Sequence, residues 1–249
     1  MDPQTERYYA AHAAEIAARY ANVSGGVDAH FAAAFAPGMR VLDVGAGSGR
    51  DVALLLAAGI DAYGVEPCAE LRAEGLKRYP QLAGRLGDAG LPHLGQPFGG
   101  AFDGVLCSAV LMHVPREEVF ASAFALRSVL NEGGTLLISV PASRPGIGAD
   151  GRDDRGRLFT SLPEDWLELL FERLGFRLIQ KWHAEDALAR GGVTWCTLLF
   201  RLQYKDTARP VDQVEGVLTR DKKTATYKLA LFRALSEIAA TEFERATWV

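Results

Sequence analysis

A short apolar run that breaks into three alternating glycines, Val41-Leu42-Asp43-Val44-Gly45-Ala46-Gly47-Ser48-Gly49, leaves few architectures open to this chain. Glycines between a buried strand and a helix let the backbone come close to a ligand at the positive end of that helix. In an open α/β sheet such a first turn faces the crevice at the carboxyl ends of the strands. The loop therefore predicts a fold class and the place of a site together.

The remainder of the chain agrees with that start. From residue 40 onward, β-like runs alternate with helix-length amphipathic segments. Strands are expected over 41–44, 60–65, 84–88, 102–108, 135–140, 176–183 and 194–202. Helices are expected over 50–58, 69–78 and 115–130. Asn131-Glu132-Gly133-Gly134 reads as a turn, and Ser161-Leu162-Pro163-Glu164 as a capping box opening a helix that Gly175 stops. The alternation predicts an α/β, Rossmann-like, seven-stranded, mostly parallel sheet with helices on both faces. The domain is expected over 1–203, with an N-terminal helical cap at 1–36 and the α/β core at 37–203. Within the cap, two alanine-rich helices are expected over 5–35, parted by Asn22-Val23-Ser24-Gly25-Gly26. Residues 141–157 form a Gly/Arg/Asp loop of a length usually found in lids or binding loops.

Glu66 closes the second strand pattern 23 residues after Asp43, where an acid commonly accepts hydrogen bonds from ribose hydroxyls. An adenosine-containing ligand is indicated. The spacing is G-x-G-x-G rather than the G-x-G-x-x-G of dinucleotide sites, and Asp43 would repel a pyrophosphate but suits a ligand with an ammonium group. This pattern resembles motif I of the class I S-adenosylmethionine-dependent methyltransferases, over about residues 1–203. Further matching stretches are Glu66, Gly87-Asp88-Ala89, the run Phe102-Asp103-Gly104-Val105-Leu106-Cys107-Ser108 with Val110, Met112 and His113, and the Gly133-Gly134 turn. The resemblance implies that Asp43, Gly45, Ala46 and Gly47 hold the methionine end of S-adenosylmethionine while Gly49 permits close helix packing. It also implies Glu66 on the ribose, Pro67 beside the adenine, Asp88 on the adenine amino group next to the Ala89 backbone, and Cys107 and Ser108 along the sulfonium. S-adenosylhomocysteine would be the product.

Methyl transfer from a sulfonium is an in-line displacement at an already activated carbon, so alignment and exclusion of water are the main demands. A base is needed only where the acceptor must lose a proton. His113 stands just beyond the fourth strand, where the resemblance places acceptor-facing residues, and is the candidate catalytic base. Packing or capping of the helix that starts near Pro115 accounts for it equally well. Tyr8, Tyr9 and Met112 are candidate acceptor or cofactor contacts, although half-buried aromatics on an amphipathic helix need no such role. His12, His30, His93 and His183 lack partners at ligand spacing and read as structural or surface residues, so no metal is expected. Arg144, Arg152, Arg155 and Arg157 are mixed with Asp150, Asp153 and Asp154, which favours a solvated mobile loop over one that closes on an acidic acceptor. Trp166 and Trp195 read as core anchors.

Twenty-seven basic against 31 acidic residues give a net charge of −4, which does not point to nucleic acid. Cys107-Ser108-Ala109-Val110 also lacks the Asp/Asn-Pro-Pro-aromatic stretch that holds a flipped base. A small-molecule acceptor is expected, with protein and RNA acceptors left open. Three scattered cysteines argue against a disulfide scaffold and fit a reducing cytoplasm. The charged N-terminal stretch is unlike a signal peptide, and the apolar runs are too short to span a bilayer, so no membrane partner is expected. A linker and a C-terminal helix are expected over 204–249. There Tyr227, Leu231, Leu235 and Ile238 recur at helical spacing and need a covering surface: the domain body, a second copy in a homodimer, or a further domain. Two rival readings stay open, a non-catalytic S-adenosylmethionine-binding or interaction module and an NAD-dependent oxidoreductase. The glycine spacing and Asp43 oppose the second.

Overall fold

The structure, a computed structural model, describes residues 2–203; the linker and helix expected over 204–249 lie outside the described residues. The sheet has seven strands in the order β3-β2-β1-β4-β5-β7-β6. β1 (Arg40–Val44), β2 (Asp61–Val65), β3 (Leu86–Gly87), β4 (Phe102–Ser108) and β5 (Leu130–Ser143) pair in parallel. β7 (Thr194–Leu202) is antiparallel to both of its neighbours, β5 and β6 (Phe176–Glu185). Val41, Leu42 and Val44 are wholly buried, as strands covered on both faces must be. The chain leaves β1 in one direction toward β2 and β3 and later in the other toward β5, so the reversal lies between β1 and β4. A crevice at the carboxyl ends of those two strands is the natural ligand position.

Each face of the sheet has its own apolar layer. On one, Val52 and Leu55 of α4 (Arg50–Ala57) and Phe31 of α3 (Phe31–Ala34) pack with Val41, Leu106, Leu137 and Leu199. On the other, Phe171 of α7 (Glu164–Arg173) packs with Phe176 and Phe200, their ring centroids 5.5 and 5.1 Å away. Leu199 and Phe200 are adjacent in β7 and so point to opposite faces. α6 (Val119–Val129) buries Leu126 and Val129. Ala13 and Ile16 of α2 (Ala13–Tyr20) join Leu71 and Cys68 at α5 (Ala69–Arg78) in a separate cluster, against which Tyr8, Tyr9 and Ala10 of α1 (Pro3–Ala11) pack.

Several expected boundaries move. The two helices expected over 5–35 are α1 and α2 already, broken at His12, and residues 27–34 add a 3-10 turn and α3. Asp2 caps α1 by accepting from the Thr5 amide at 2.8 Å, with Pro3 pre-set in the first turn. The capping box does not form. Leu162 precedes a proline, which disfavours helical backbone there, and Pro163 itself is extended (ψ 140°), so α7 begins one residue later without a side-chain cap. Glu164 instead meets His183 at 2.7 Å. The 131–134 turn is a bulge inside β5: Leu130 already pairs with Phe102, and Thr135 resumes at Gly104. The third strand contracts to Leu86–Gly87, and the helix expected from Pro115 starts at Val119 after a 3-10 turn.

Candidate active site

The glycine loop is tied to the neighbouring strand before it turns. The amides of Gly45 and Ala46 both donate to the Val65 carbonyl, at 2.8 and 3.0 Å. Gly45, Gly47 and Gly49 all have left-handed backbone, φ 77°, 55° and 76°. A Cβ on Gly45 would run into Val110, and one on Gly49 would stand 2.5 Å from Leu82 Cδ1. A Cβ on Gly47 would meet nothing within 4 Å. The Gly47 amide donates to Glu66 Oε2 at 3.0 Å, and the Cys68 amide to Glu66 Oε1 at 2.9 Å. Burial pushes the Glu66 pKa up against these two donors.

Above this loop lies a cavity of about 230 Å³, bounded by the carboxyl ends of β1, β2 and β4, the N-terminal helices and the loop after β5. Gly45, Ala46, Gly47, Glu66, Ser108, Met112, His113 and Tyr9 line it, as expected of site residues. Asp43, Gly49, Pro67, Asp88, Ala89, Cys107 and Tyr8 do not stand on its wall. Asp43 is enclosed in β1, where burial, with Asp51 and Glu66 nearby, raises its pKa well above the carboxylate range. Cys107 is wholly buried and its thiol is pushed up, while the next residue along β4, Ser108, reaches the cavity. The Asp88 side chain is 71% exposed and pairs with Arg72 at 3.2 Å. Arg72 also donates to the carbonyls of Glu66 and Pro67.

His113 is engaged at both nitrogens. Nδ1 lies 2.6 Å from the Leu158 carbonyl and Nε2 lies 3.1 Å from the Tyr9 hydroxyl. Burial, with Arg157 and Arg144 adding to it, brings its pKa down to about 4, while burial takes the Tyr9 phenol up to about 12. A weakly basic imidazole whose lone pair already accepts a hydrogen bond is poorly placed as a base.

The arginine-rich loop is anchored at several points, while Asp150, Asp154 and Arg155 stay exposed to solvent as expected. Arg152 makes a two-pronged pair with Asp2 at 2.9 and 2.8 Å, and Arg157 another with Asp153 at 2.9 and 2.5 Å. Arg155 donates to the Tyr8 hydroxyl at 2.7 Å, and the Leu158 and Thr160 amides donate to Thr5 Oγ1 and the Met112 carbonyl. Arg144 and Arg157 thereby line the cavity, as does Trp195, which is half-buried and donates to Asp186 at 2.9 Å rather than anchoring the core. Ser139 and Thr197 also reach it, and Ser139 lies 2.9 Å from Ser108. A polar residue interrupting the apolar runs of β5 and β7 was the signal for those two. His30 lines the cavity and stacks on Trp182 at 4.2 Å. Away from it, donor atoms of Glu164, His183 and Cys196 lie within 4.8 Å of one another, but the Lys181 ammonium already stands 3.3 Å from Glu164.

Residues 15–181 match a family described as a methyltransferase domain, and residues 207–247 match one described as a domain of unknown function. The chain is 36% identical over 119 residues to a protein-L-isoaspartate O-methyltransferase of Methylorubrum populi, covering 46% of this chain and 50% of that protein. It is 34% identical over 110 residues to a demethylmenaquinone methyltransferase of Beutenbergia cavernae, covering 44% and 43%. The chain spans about half the length of the curated relatives it matches. The 1,6-didemethyltoxoflavin-N1-methyltransferase of Burkholderia thailandensis, solved with 1,6-didemethyltoxoflavin and S-adenosylhomocysteine, superposes with a TM-score of 0.56 at 21% identity, over 77% of this chain and 79% of that one. At that identity the likeness is one of fold. No helix among the described residues is long and apolar enough to cross a membrane.

Proposed function

The chain belongs to the methyltransferase-domain family, and from that membership we propose that it moves a methyl group from S-adenosylmethionine to a small-molecule acceptor held beside the glycine loop. Glu66 carries this reading. Its carboxylate is buried, fixed by the Gly47 and Cys68 amides, and still faces the cavity, where its remaining lone pairs suit ribose hydroxyls. The space beside Gly47, which a side chain would fill, admits a ligand close to the backbone. Leu71 and Ile16 offer apolar wall near that end, and Glu66 offers negative charge there, whereas Asp51 is paired with Arg50 at 2.5 Å.

When bound, S-adenosylmethionine supplies a methyl carbon already activated by positive sulfur. The chain's own task is then placement. Gly45, Ala46, Gly47 and Glu66 fix one end of the pocket, and Ser108 and Met112 form the wall beside it. α1, α2 and the loop after β5 cover it and limit the access of water. His113 acts as a positioning residue: it holds the Tyr9 hydroxyl at the cavity wall instead of collecting a proton.

Calorimetric titration with S-adenosylhomocysteine, run beside NAD, tests the reading. Saturable binding of S-adenosylhomocysteine alone supports it. Binding of NAD alone, or of neither, overturns it, and the second result would bring the interaction-module reading forward.

A further inference from the structure

Two guanidinium groups at the cavity wall share one carboxylate. Arg157 holds Asp153 through Nε at 2.9 Å and Nη2 at 2.5 Å. Arg144 reaches the same carboxylate only through Nη2, at 3.6 Å. Its side chain is 14% exposed and its guanidinium lies 4.1 Å from the centre of the Phe159 ring. Among the described residues the buried Nε of Arg144 has no hydrogen-bond partner. The neighbouring Arg190 is neutralised by its own two-pronged pair with Asp186, at 2.8 and 2.6 Å. The cluster of Arg144, Arg157 and Asp153 therefore keeps one positive charge, with a planar donor edge unfilled. A buried donor without an acceptor costs about 1–3 kcal/mol, more when charged, so such a group belongs with a ligand that completes it.

Its position says which ligand. Arg144 and Phe159, with Met112, line both the first cavity and a second one of about 590 Å³. No residue of the glycine loop lines the second cavity. The guanidinium thus stands on the side away from Glu66, where an acceptor rather than an adenosine moiety would lie. We propose that Arg144 binds a carboxylate on the acceptor, so that the substrates of this site are small organic acids. The proposal rests on reading the first cavity as the acceptor and cofactor site. Lowering of the Arg144 pKa by burial and by Arg157 and Arg190 is consistent with a cation awaiting an anion.

Benzoate and its uncharged analogue benzamide are suitable probes, titrated into the full chain with and without saturating S-adenosylhomocysteine. Benzoate is expected to bind at least roughly tenfold more tightly than benzamide, the value of a charge-assisted pair. Arg144→Gln should erase that preference, Arg144→Lys should keep part of it, and both should leave the S-adenosylhomocysteine affinity within about twofold. In the wild-type chain, benzoate should shift the Arg144 Nε–H resonance, a readout that survives if the variants fail to fold. Equal binding of the two probes, or an Arg144 resonance that does not move, overturns the proposal. So does Arg144→Gln weakening S-adenosylhomocysteine as much as benzoate, because the arginine would then serve the cofactor's own carboxylate. Failure of S-adenosylhomocysteine to bind while benzoate retains its Arg144-dependent preference would instead overturn the methyltransferase reading and leave the anion site standing.

Discussion

The Tyr9 hydroxyl lies 3.1 Å from Nε2 of His113, and the Leu158 carbonyl lies 2.6 Å from Nδ1 of the same ring. A carbonyl only accepts, so Nδ1 carries the proton and the phenol donates to Nε2. Tyr9→Phe therefore leaves a buried nitrogen without its donor. The variant should lose about 1–2 kcal/mol of unfolding free energy, read as a lower urea midpoint at unchanged slope. Stability equal to wild type within a few tenths would show that the pair contributes nothing.

The same ring makes stability depend on pH. Burial holds His113 at about 4 in the folded chain against an ordinary 6.5. Between those values the unfolded chain binds a proton that the folded one refuses. The contribution is thus complete above pH 6.5 and is lost as pH falls toward 4. From pH 7.5 to pH 5 this amounts to about 2 kcal/mol. Asp2, held below the carboxylate range chiefly by Arg152, acts only at still lower pH. Urea unfolding of wild type and His113→Gln at the two pH values measures the effect. A variant that keeps the full difference would place the titration elsewhere.

Two neighbouring glycines should fail in different ways. Gly49→Ala puts a Cβ 2.5 Å from the wholly buried Leu82 at φ 76°, and is expected to cost roughly 2–3 kcal/mol of stability. Gly47→Ala strains the backbone by only about 1 kcal/mol, because the added carbon meets open cavity. Its penalty should appear in S-adenosylhomocysteine affinity, which thermal unfolding beside calorimetry separates. Wild-type affinity in Gly47→Ala would remove this loop from the contact surface.

Glu66 and Asp88 are both acids that end strand patterns, yet only Glu66 faces the cavity. Glu66→Gln turns an amide donor toward one of two backbone N–H groups and should weaken S-adenosylhomocysteine by about tenfold or more. Asp88→Asn loses an exposed pair with Arg72 and should change affinity by less than about twofold. The reverse order would return the adenine contact to Asp88.

What could be read from the chain was local. β4 and α5 fall on the residues expected for them, because apolar spacing and a bounding glycine or proline act over a few positions. Gly45, Gly47 and Glu66 were legible because strand ends in a parallel sheet all meet one crevice. The failures came from longer-range competition. Ser161 lost its cap to the backbone preference set by Pro163, and Glu164 was drawn to His183 on the edge strand β6. Charge counting made the arginine loop look neutral and mobile. Only the fold reveals that Asp153 is committed to Arg157 and that Arg152 belongs to Asp2.

The roof over the cavity joins residues far apart in the chain: Asp2 meets Arg152 across 150 positions, and Tyr9 meets His113 across 104. Asp2 leaves the ribosome that many residues ahead of its partner. At about 5–20 residues per second it waits on the order of 10–30 s before the contact can form. During synthesis, then, α1 has α5 to rest on long before the loop after β5 arrives to meet it. The latch between Asp2 and Arg152 thus forms after the strands around the glycine loop have been made, and the wall residues Trp195 and Thr197 follow it later still.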